Sequence, residues 1–257
     1  MSKPSGAIDM TRGKPINLML RFALPMMIGS IFQSLYSMVD SAVLGRFVGS
    51  HALAAIGATT STTGLILLLA TGVTSAISIV LSQYVGANDT DRVRKGIVAS
   101  GWITLLLGVV LGLISVFAAR PLMQLLKTPE DVIDMSVLYI QIVCGCGIAQ
   151  FAYNAAASIL RALGDSKTPL YFLILCSILN VILDLTSVIG LNMGVAGVAV
   201  ATVGSQAISA VICILVMFRK YPNLMPKRHT LRPDMPVSLK IFGMGAQMAL
   251  QSLFLSV

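Results

Sequence analysis

Residues 160–202 read LRALGDSKTPLYFLILCSILNVILDLTSVIGLNMGVAGVAVAT. Between Pro169 and Gly190 this stretch is mostly apolar, and Asp184 is its only charge. A helix that crosses a bilayer needs about 20 consecutive, mostly apolar residues, so the segment is long enough to span a membrane. Gly164 in the preceding connector suits the position just past a helix end, and Pro169 suits a first helical turn. The stretch therefore predicts a membrane span over 169–190, with a helix ending before it and another starting near 194.

The composition of the whole chain agrees with a membrane location. Apolar residues make up 56% of the 257 residues and charged residues 11%, and the mean hydropathy is +0.88. Soluble domains carry about 25% charged residues, which cover the water-facing surface. The sequence thus argues against a soluble enzyme, a nucleic-acid binder and a disordered protein. The net charge of +8 suits contact with anionic lipid headgroups better than contact with nucleic acid.

Seven segments have the length and composition of membrane helices, the last one being short. They are 22–45, 53–83, 96–119, 135–160, 169–190, 194–218 and 241–257. The connectors between them are short, which implies antiparallel neighbours. We therefore predict an all-α, polytopic membrane helix bundle. Six transmembrane helices form one lobe over 1–235, and 236–257 holds an incomplete seventh helix.

Lysine and arginine are distributed unevenly between the two sides of this bundle. Fifteen of the 18 lie in the N-terminal tail and in the loops after the second, fourth and sixth spans. The opposite side carries only Arg46, Arg120 and Lys127. Loops rich in lysine and arginine stay in the cytoplasm. We therefore expect a multi-pass protein of the cell membrane whose N-terminus and 219–240 loop are cytoplasmic.

Polar residues recur at helical spacing on three spans. They are Gln33, Tyr36, Ser37 and Asp40 on the first span, Ser177, Asn180, Asp184 and Ser187 on the fifth, and Thr202 and Gln206 on the sixth. An acid at mid-membrane costs about 2.5–3.5 kcal/mol on insertion scales, so such residues face the bundle interior or a wet cavity. We predict that Asp40, Asn180, Asp184 and Thr202 converge on one interior site, with Gln33, Tyr36 and Gln206 in an adjoining substrate cavity.

The chemistry of this set suits a small cation. Two carboxylates in a low-dielectric cavity repel each other and lose hydration, and a proton or a bound Na⁺ removes that penalty. Asn180 and Thr202 add the neutral oxygen ligands that hard cations prefer. The residues therefore have the properties of an ion-coupling site for H⁺ or Na⁺, and no other cofactor or metal is expected.

Packing is the alternative role for these polar residues. A hydroxyl stripe on the second span, formed by Thr71, Ser75, Ser78 and Ser82, suits a helix-packing surface. Tyr36 suits aromatic packing as well as it suits a ligand contact. A membrane-embedded enzyme is a weak alternative, because the spans contain no histidine and no metal-ligand spacing.

Several motifs together resemble the multidrug and toxic compound extrusion (MATE) family. They are Pro25 followed by Gln33-Ser-Leu-Tyr36, Asp40 and Gly45; Ser82-Gln-Tyr-Val-Gly-Ala-Asn88; the connector from Leu160 to Pro169; and Asn180 with Asp184, then the segment from Gly194 to Thr202. The resemblance runs from about residue 10 to the end of the chain, and 160–202 is its most specific part. Polysaccharide and lipid flippases of the same superfamily share the helix count but match these motifs less well.

The resemblance implies a twelve-helix antiporter of two six-helix lobes, which exports cationic or amphipathic compounds against inward H⁺ or Na⁺. In one branch of the family an N-lobe cation site is formed by residues that match Asp40, Asn180, Asp184 and Thr202. Another branch uses acids in the C-lobe, so the coupling ion stays open. Small molecules and membrane lipid are the expected partners, and nucleic acid is not.

The C-terminal segment fits the start of a second repeat. Gln251-Ser-Leu-Phe254 matches Gln33-Ser-Leu-Tyr36, as expected for duplicated transporter lobes. The resemblance thus implies that 236–257 is the truncated first helix of a missing C-terminal lobe. We expect that helix to lack a packing partner within this chain, and the chain alone not to transport. A flippase and a non-transporting membrane fragment stay as alternatives to the antiporter.

Overall fold

The computed structural model describes residues 15–226 and 232–256, and every regular element within them is helical. Helix α1 is Pro15–Val43, α2 is Ser50–Gly86, α3 is Thr90–Leu125, α4 is Glu130–Gly145, α5 is Ile148–Ala162, α6 is Lys167–Leu185, α7 is Gly194–Lys220 and α8 is Met235–Ser256. Two of the helices end in a wider, π-helical turn: Leu44–Val48 follows α1, and Thr186–Gly190 follows α6. In both turns an amide bonds the carbonyl five residues earlier, from Gly49 to Leu44 and from Leu191 to Thr186, each at 3.0 Å.

Six membrane spans account for most of the chain. Five uninterrupted helical segments are long and apolar enough to cross a membrane, namely Ile16–Val48, α2, α3, Lys167–Gly190 and α7. The sixth span is the pair α4 and α5, which is bent by 43°. The prediction of a multi-pass all-α bundle is confirmed. Because neighbouring spans run antiparallel, the loops after α2, α5 and α7 share one end of the bundle, which we call the cationic face.

The fourth span is broken, where the sequence predicted a continuous helix over 135–160. The break falls at Cys146 and Gly147, and two glycines of α3 pack against it. A Cβ at Gly112 would lie 2.9 Å from the carbonyl oxygen of Gly145, and one at Gly108 would lie 2.9 Å from the side chain of Ile148. The absence of side chains at these two positions of α3 thus allows the bent region to approach the α3 backbone closely.

Helix α8 is longer and better packed than the sequence suggested. It begins at Met235, six residues before the predicted segment, and its 22 residues reach about 33 Å at 1.5 Å per residue. It packs on α2 and α3, and its Val237 and Ile241 are buried in the main core. A Cβ at Gly72 of α2 would lie 2.8 Å from the Gly245 oxygen, so the two backbones touch. The expectation that this helix has no partner within the chain is therefore wrong.

A buried ion pair joins the α5–α6 connector to the end of α7. Asp165, 1% exposed, lies 2.6 Å from Lys220 Nζ through Oδ2 and also accepts hydrogen bonds from the amide and hydroxyl of Thr168, at 3.0 and 2.6 Å. Burial by itself raises the pKa of the Asp165 carboxyl, but the hydrogen bonds from Lys220 and Thr168 outweigh burial and hold the pKa below its ordinary value. Gly164, with a φ of +84°, makes the turn that aims Asp165 inward, as predicted for a residue just past a helix end.

Candidate functional site

The two acids of the membrane spans occupy equivalent places on their helices. Asp40 lies in the last turn of α1 and Asp184 in the last turn of α6, each just before a π-helical turn. Helix α1 packs along α6, and the two carboxyl groups lie within electrostatic interaction range of each other. Asp184 is completely buried, and Asp40 is half-buried. The helix pairing therefore brings two acids together at the end of the bundle away from the cationic face.

Each of the four residues predicted to form the ion site has at least one buried side-chain atom without a hydrogen-bond partner. These atoms are Oδ1 of Asp40, both carboxyl oxygens of Asp184, the side-chain oxygen and nitrogen of Asn180, and the hydroxyl oxygen of Thr202. Asn180 is 1% exposed and Thr202 8% exposed, so bulk water reaches neither side chain freely. A buried polar group without a partner costs about 1–3 kcal/mol, so a cluster of them is unusual in a folded protein. The cluster has the oxygen groups to accept a small cation or protons.

An apolar cluster lies at the same end of the bundle as the acids and includes residues three to four positions after each of them. It joins residues of both π-helical turns to the starts of α2 and α7, namely Val43, Leu44, Ala52, Val188, Val195 and Val198. The hydroxyl of Ser187 donates to the Gly197 carbonyl at 3.1 Å and ties the second turn to α7. Water exclusion at this end strengthens electrostatic interactions at the acids.

A narrow polar cavity lies between α1, α5, α6 and α7. Its volume is about 30 Å³, and its lining consists of Gln33, Tyr36, Gln150, Tyr153, Asn154, Leu173, Cys176, Ser177, Thr202, Ser205 and Gln206. Thr202 both lines the cavity and belongs to the unpartnered cluster. The cavity is large enough for a water molecule or a small ion and far below the roughly 300 Å³ of a drug-sized pocket.

The structure brings some of the predicted residues to this cavity and leaves others beside it. Gln33, Tyr36, Gln206 and Thr202 line it, whereas Asp40, Asn180 and Asp184 are not among its lining residues. Tyr36 and Tyr139 lie within electrostatic range of both carboxyl groups. Two tyrosines therefore lie near the pair of acids.

Sequence reasoning missed the contribution of α5. Gln150, Tyr153 and Asn154 face the cavity, and the Tyr153 hydroxyl donates to the Pro169 carbonyl at 3.0 Å. Tyr153 and Asn154 follow Gln150 by three and four residues, and this spacing is the sequence signal that could have revealed the polar face. Cys176 and Ser205 were also missed.

Two further polar patterns do not join the site. The hydroxyl stripe of α2 is largely exposed, and Thr71 and Ser82 bond carbonyls of their own helix at 2.9 and 2.7 Å. Ser37 of α1 is exposed and donates to the Gln33 carbonyl at 3.0 Å. Within the described residues, no group of three or more His, Cys, Asp or Glu side chains could hold a metal ion.

Comparisons with known proteins agree with this architecture. The sequence model of the MatE family matches residues 25–186. The chain is 31% identical to the probable multidrug resistance protein YpnP of Bacillus subtilis (strain 168) over 97% of this chain and 56% of that protein. It is 23% identical to the multidrug export protein MepA of Staphylococcus saprophyticus over 93% of this chain and 53% of that protein.

A solved structure has the same fold over almost the whole chain. It is an outward-facing multidrug resistance MATE family transporter of the MOP superfamily, with a TM-score of 0.90 and 25% sequence identity. The match covers 98% of this chain and 56% of that one. The chain thus spans about half the length of the relatives it matches. With the family match over residues 25–186 and six membrane spans in the same arrangement, the chain belongs to the MatE family of membrane transporters.

Proposed function

We propose that this chain forms the N-terminal lobe of a multidrug efflux antiporter of the cell membrane, with a cytoplasmic N-terminus. In this proposal Asp40, Asn180, Asp184 and Thr202 bind the coupling cation. The observation that supports it is that each of the four residues has a buried side-chain atom without a hydrogen-bond partner. The oxygens of these residues suit Na⁺, and the two carboxyl groups suit protons equally well.

The transported compounds are cationic or amphipathic small molecules, and Gln33, Tyr36 and Gln206 contact them. The names of YpnP and MepA support multidrug export. Because the cavity holds only about 30 Å³, it has to widen before it admits such a compound. Helix α1 is the element that moves, since it is the most exposed of the spans and packs chiefly on α6.

The sequence of α1 favours bending. Pro25 lies inside the helix, where it removes one backbone hydrogen bond. Ser30, Ser34, Ser37 and Ser41 each donate to the carbonyl four residues earlier, a bond that weakens and bends helices. Neutralisation of Asp40 by a cation therefore acts on a helix that is already easy to bend.

The test is cation binding by the purified chain in detergent, followed as the shift of the thermal unfolding midpoint with Na⁺ and with pH. A ligand at 100 times its Kd stabilises the folded state by about 2.7 kcal/mol. We expect Asp184→Asn to remove the Na⁺ response or, if protons are the coupling ion, the corresponding pH response. In the full-length protein the same substitution should abolish efflux of a fluorescent cationic dye while expression is unchanged.

Asp131→Asn is the matched control. Asp131 is 57% exposed and lies 3.2 Å from His51, so this acid is already paired and open to solvent, unlike Asp184. It should leave both the ion responses and efflux unchanged. Responses and efflux in Asp184→Asn that equal those of the unmodified protein would refute the coupling role.

A further inference from the structure

A second cavity lies on the outside of the bundle, over helix α5. Helix α5 is recessed between α3 and α7, and its small residues Ala152, Ala155 and Ala156 form the floor of a groove of about 460 Å³. Trp102 of α3 and Phe218 of α7 stand on the two walls. Both are about half exposed, so the groove opens sideways, away from the polar cavity described above.

The lining of the groove is almost entirely hydrocarbon. Thr104 and Trp102 are the lining residues with a polar side-chain atom, and no lining residue is charged. An apolar cavity of this kind stays dry, because water inside it would lose its hydrogen bonds. A sugar, a peptide or a nucleotide would lose them as well. Among small ligands, the lining therefore favours a hydrocarbon chain.

The position of the groove corresponds to one leaflet of the bilayer. Its floor runs along α5 from Ile148 to Ile159, about 16 Å at 1.5 Å per residue. Half of a hydrocarbon core of about 30 Å has the same length. Ile159 lies near the end of α5, at the cationic face, and Ile148 lies near the middle of the broken span. The groove thus fits the acyl chain of a lipid in the leaflet on the cationic side.

A cation stands at the headgroup end of the groove. Arg94 lies one turn before Val98 on the stripe of α3 that forms one wall, and its side chain is 34% exposed. Its Nε and Nη2 donate to the Asn223 carbonyl at 3.0 and 2.6 Å, which fixes the guanidinium in place. Its Nη1 lies 3.5 Å from the exposed carboxylate of Asp91, a loose contact that a phosphate can replace. A fixed guanidinium at the membrane surface is a natural partner for a phosphate.

We propose that the groove between α3, α5 and α7 binds a phospholipid, with one acyl chain over the alanines of α5 and the phosphate at Arg94. Charge complementarity selects an anionic lipid over a zwitterionic one. The site is independent of the coupling site, because none of its lining residues contributes to the polar cavity or to the unpartnered cluster.

The test is photolabelling of the purified chain in lipid vesicles. The probes are phosphatidylglycerol and phosphatidylcholine that carry a diazirine in one acyl chain, and mass spectrometry locates the labelled peptides. We expect labelling concentrated on the groove segments of α3, α5 and α7. Gly101→Trp should abolish it, because Gly101 lines the groove and a Cβ there meets no atom within 4 Å, so the indole can occupy the groove.

Controls separate groove filling from misfolding. Gly64→Trp on α2 makes the same change at another open helix position outside the groove and should keep the labelling. Ala152→Phe fills the groove from its floor and should abolish labelling as Gly101→Trp does. Arg94→Gln should reduce labelling by phosphatidylglycerol to the level of phosphatidylcholine. Labelling spread evenly around the bundle, or unchanged in both groove-filling variants, would overturn the proposal.

Discussion

Asp165 and Asp184 are both fully buried acids at the two ends of the α6 segment, yet their surroundings are opposite. Asp165 is bound by Lys220 and Thr168. The side chain that interacts with the Asp184 carboxyl is another acid, Asp40, and no basic group, hydroxyl or amide among the described residues donates a hydrogen bond to it. A carboxylate whose partners are all protein groups stabilises the fold. A buried carboxylate that receives no hydrogen bond from a basic, hydroxyl or amide group is available to a ligand. The two residues should therefore respond in opposite directions to the same substitution.

Asp165→Asn should destabilise the protein. The change removes the negative charge that Lys220 contacts and leaves that amine half-buried, at a cost of about 1–3 kcal/mol. Thermal or denaturant unfolding in detergent measures the loss. Asp91→Asn is the control, because Asp91 forms a looser 3.5 Å pair with Arg94 and is 84% exposed. An equal loss of stability in both variants would show that the buried Asp165–Lys220 pair contributes no more to stability than the exposed Asp91–Arg94 pair.

The same pair should make stability depend on acid pH. The folded-state pKa of Asp165 lies below its ordinary value, so its contribution is fully present above that ordinary value and is lost as pH falls through the lowered one. The unmodified chain should thus lose stability on acidification through this range. Asp165→Asn should show a shallower loss. Parallel pH curves would contradict the assignment.

Asp184→Asn should stabilise the protein at alkaline pH without Na⁺. Under these conditions the ionised carboxylate is buried beside Asp40 without a partner, and an amide removes that charge. We expect the free energy of unfolding to rise by about 1 kcal/mol or more. Functional residues often reduce stability, so their replacement can stabilise a protein while it removes activity. A lower value would indicate that Asp184 has a structural partner.

At the scale of elements, the contact between α2 and α8 depends on one pair of glycines. A Cβ at Gly245 would lie 3.0 Å from the Cα of Val73, which cannot move without shifting the helix. Gly245→Leu should therefore separate α8 from α2 and cost about 1–3 kcal/mol or more. Gly243→Leu, two residues away and facing open space, is the matched control and should be neutral. Protease cleavage between α7 and α8 gives a second readout.

The elements also show what the sequence could and could not specify. Spans such as α3 and α7 were predicted because membrane insertion requires long apolar runs. The break at Cys146–Gly147 was not predicted, because hydropathy does not change at a bend whose residues are all apolar. Its local signal is the pair Gly145 and Gly147, but the bend is fixed by Gly108 and Gly112 of another helix. Burial of Asp165 by Lys220 likewise depends on a contact 55 residues away in sequence.

The candidate site was predictable in its acids and less so in its surroundings. Asp40 and Asp184 stand out because charges are rare in spans. Helix α5 has only three polar residues on the face that lines the cavity, Gln150, Tyr153 and Asn154, and they stand among alanines and other apolar residues, so its polar face was missed. The residues that set the volume of the cavity, such as Leu173, have no chemical signature at all.

For the whole molecule, the charge distribution predicts the orientation. Single cysteines at Ser5 and Asn223, in a background without the four native cysteines, should be protected from impermeant thiol reagents in intact cells. Ser5 lies outside the described residues. Asn223 is exposed and bonds Arg94 only through its backbone carbonyl, so substitution should keep that contact. Labelling of either position in intact cells would reverse the topology.

The π-helical turns after α1 and α6 have a mechanical consequence. Each turn holds one residue more than an α-helical turn would, and each directly follows an acid-bearing helix end. If the π-helical turn converts to α-helical geometry, its extra residue joins the helix. The part of the helix that precedes the turn then rotates about its axis by one residue, which is about 100° at 3.6 residues per turn. Asp40 or Asp184 would then swing from one side of its helix axis to another while the chain stays hydrogen-bonded. Each acid thus precedes a turn at which its helix can rotate, and the backbone geometry rather than any side chain sets the angle of that rotation.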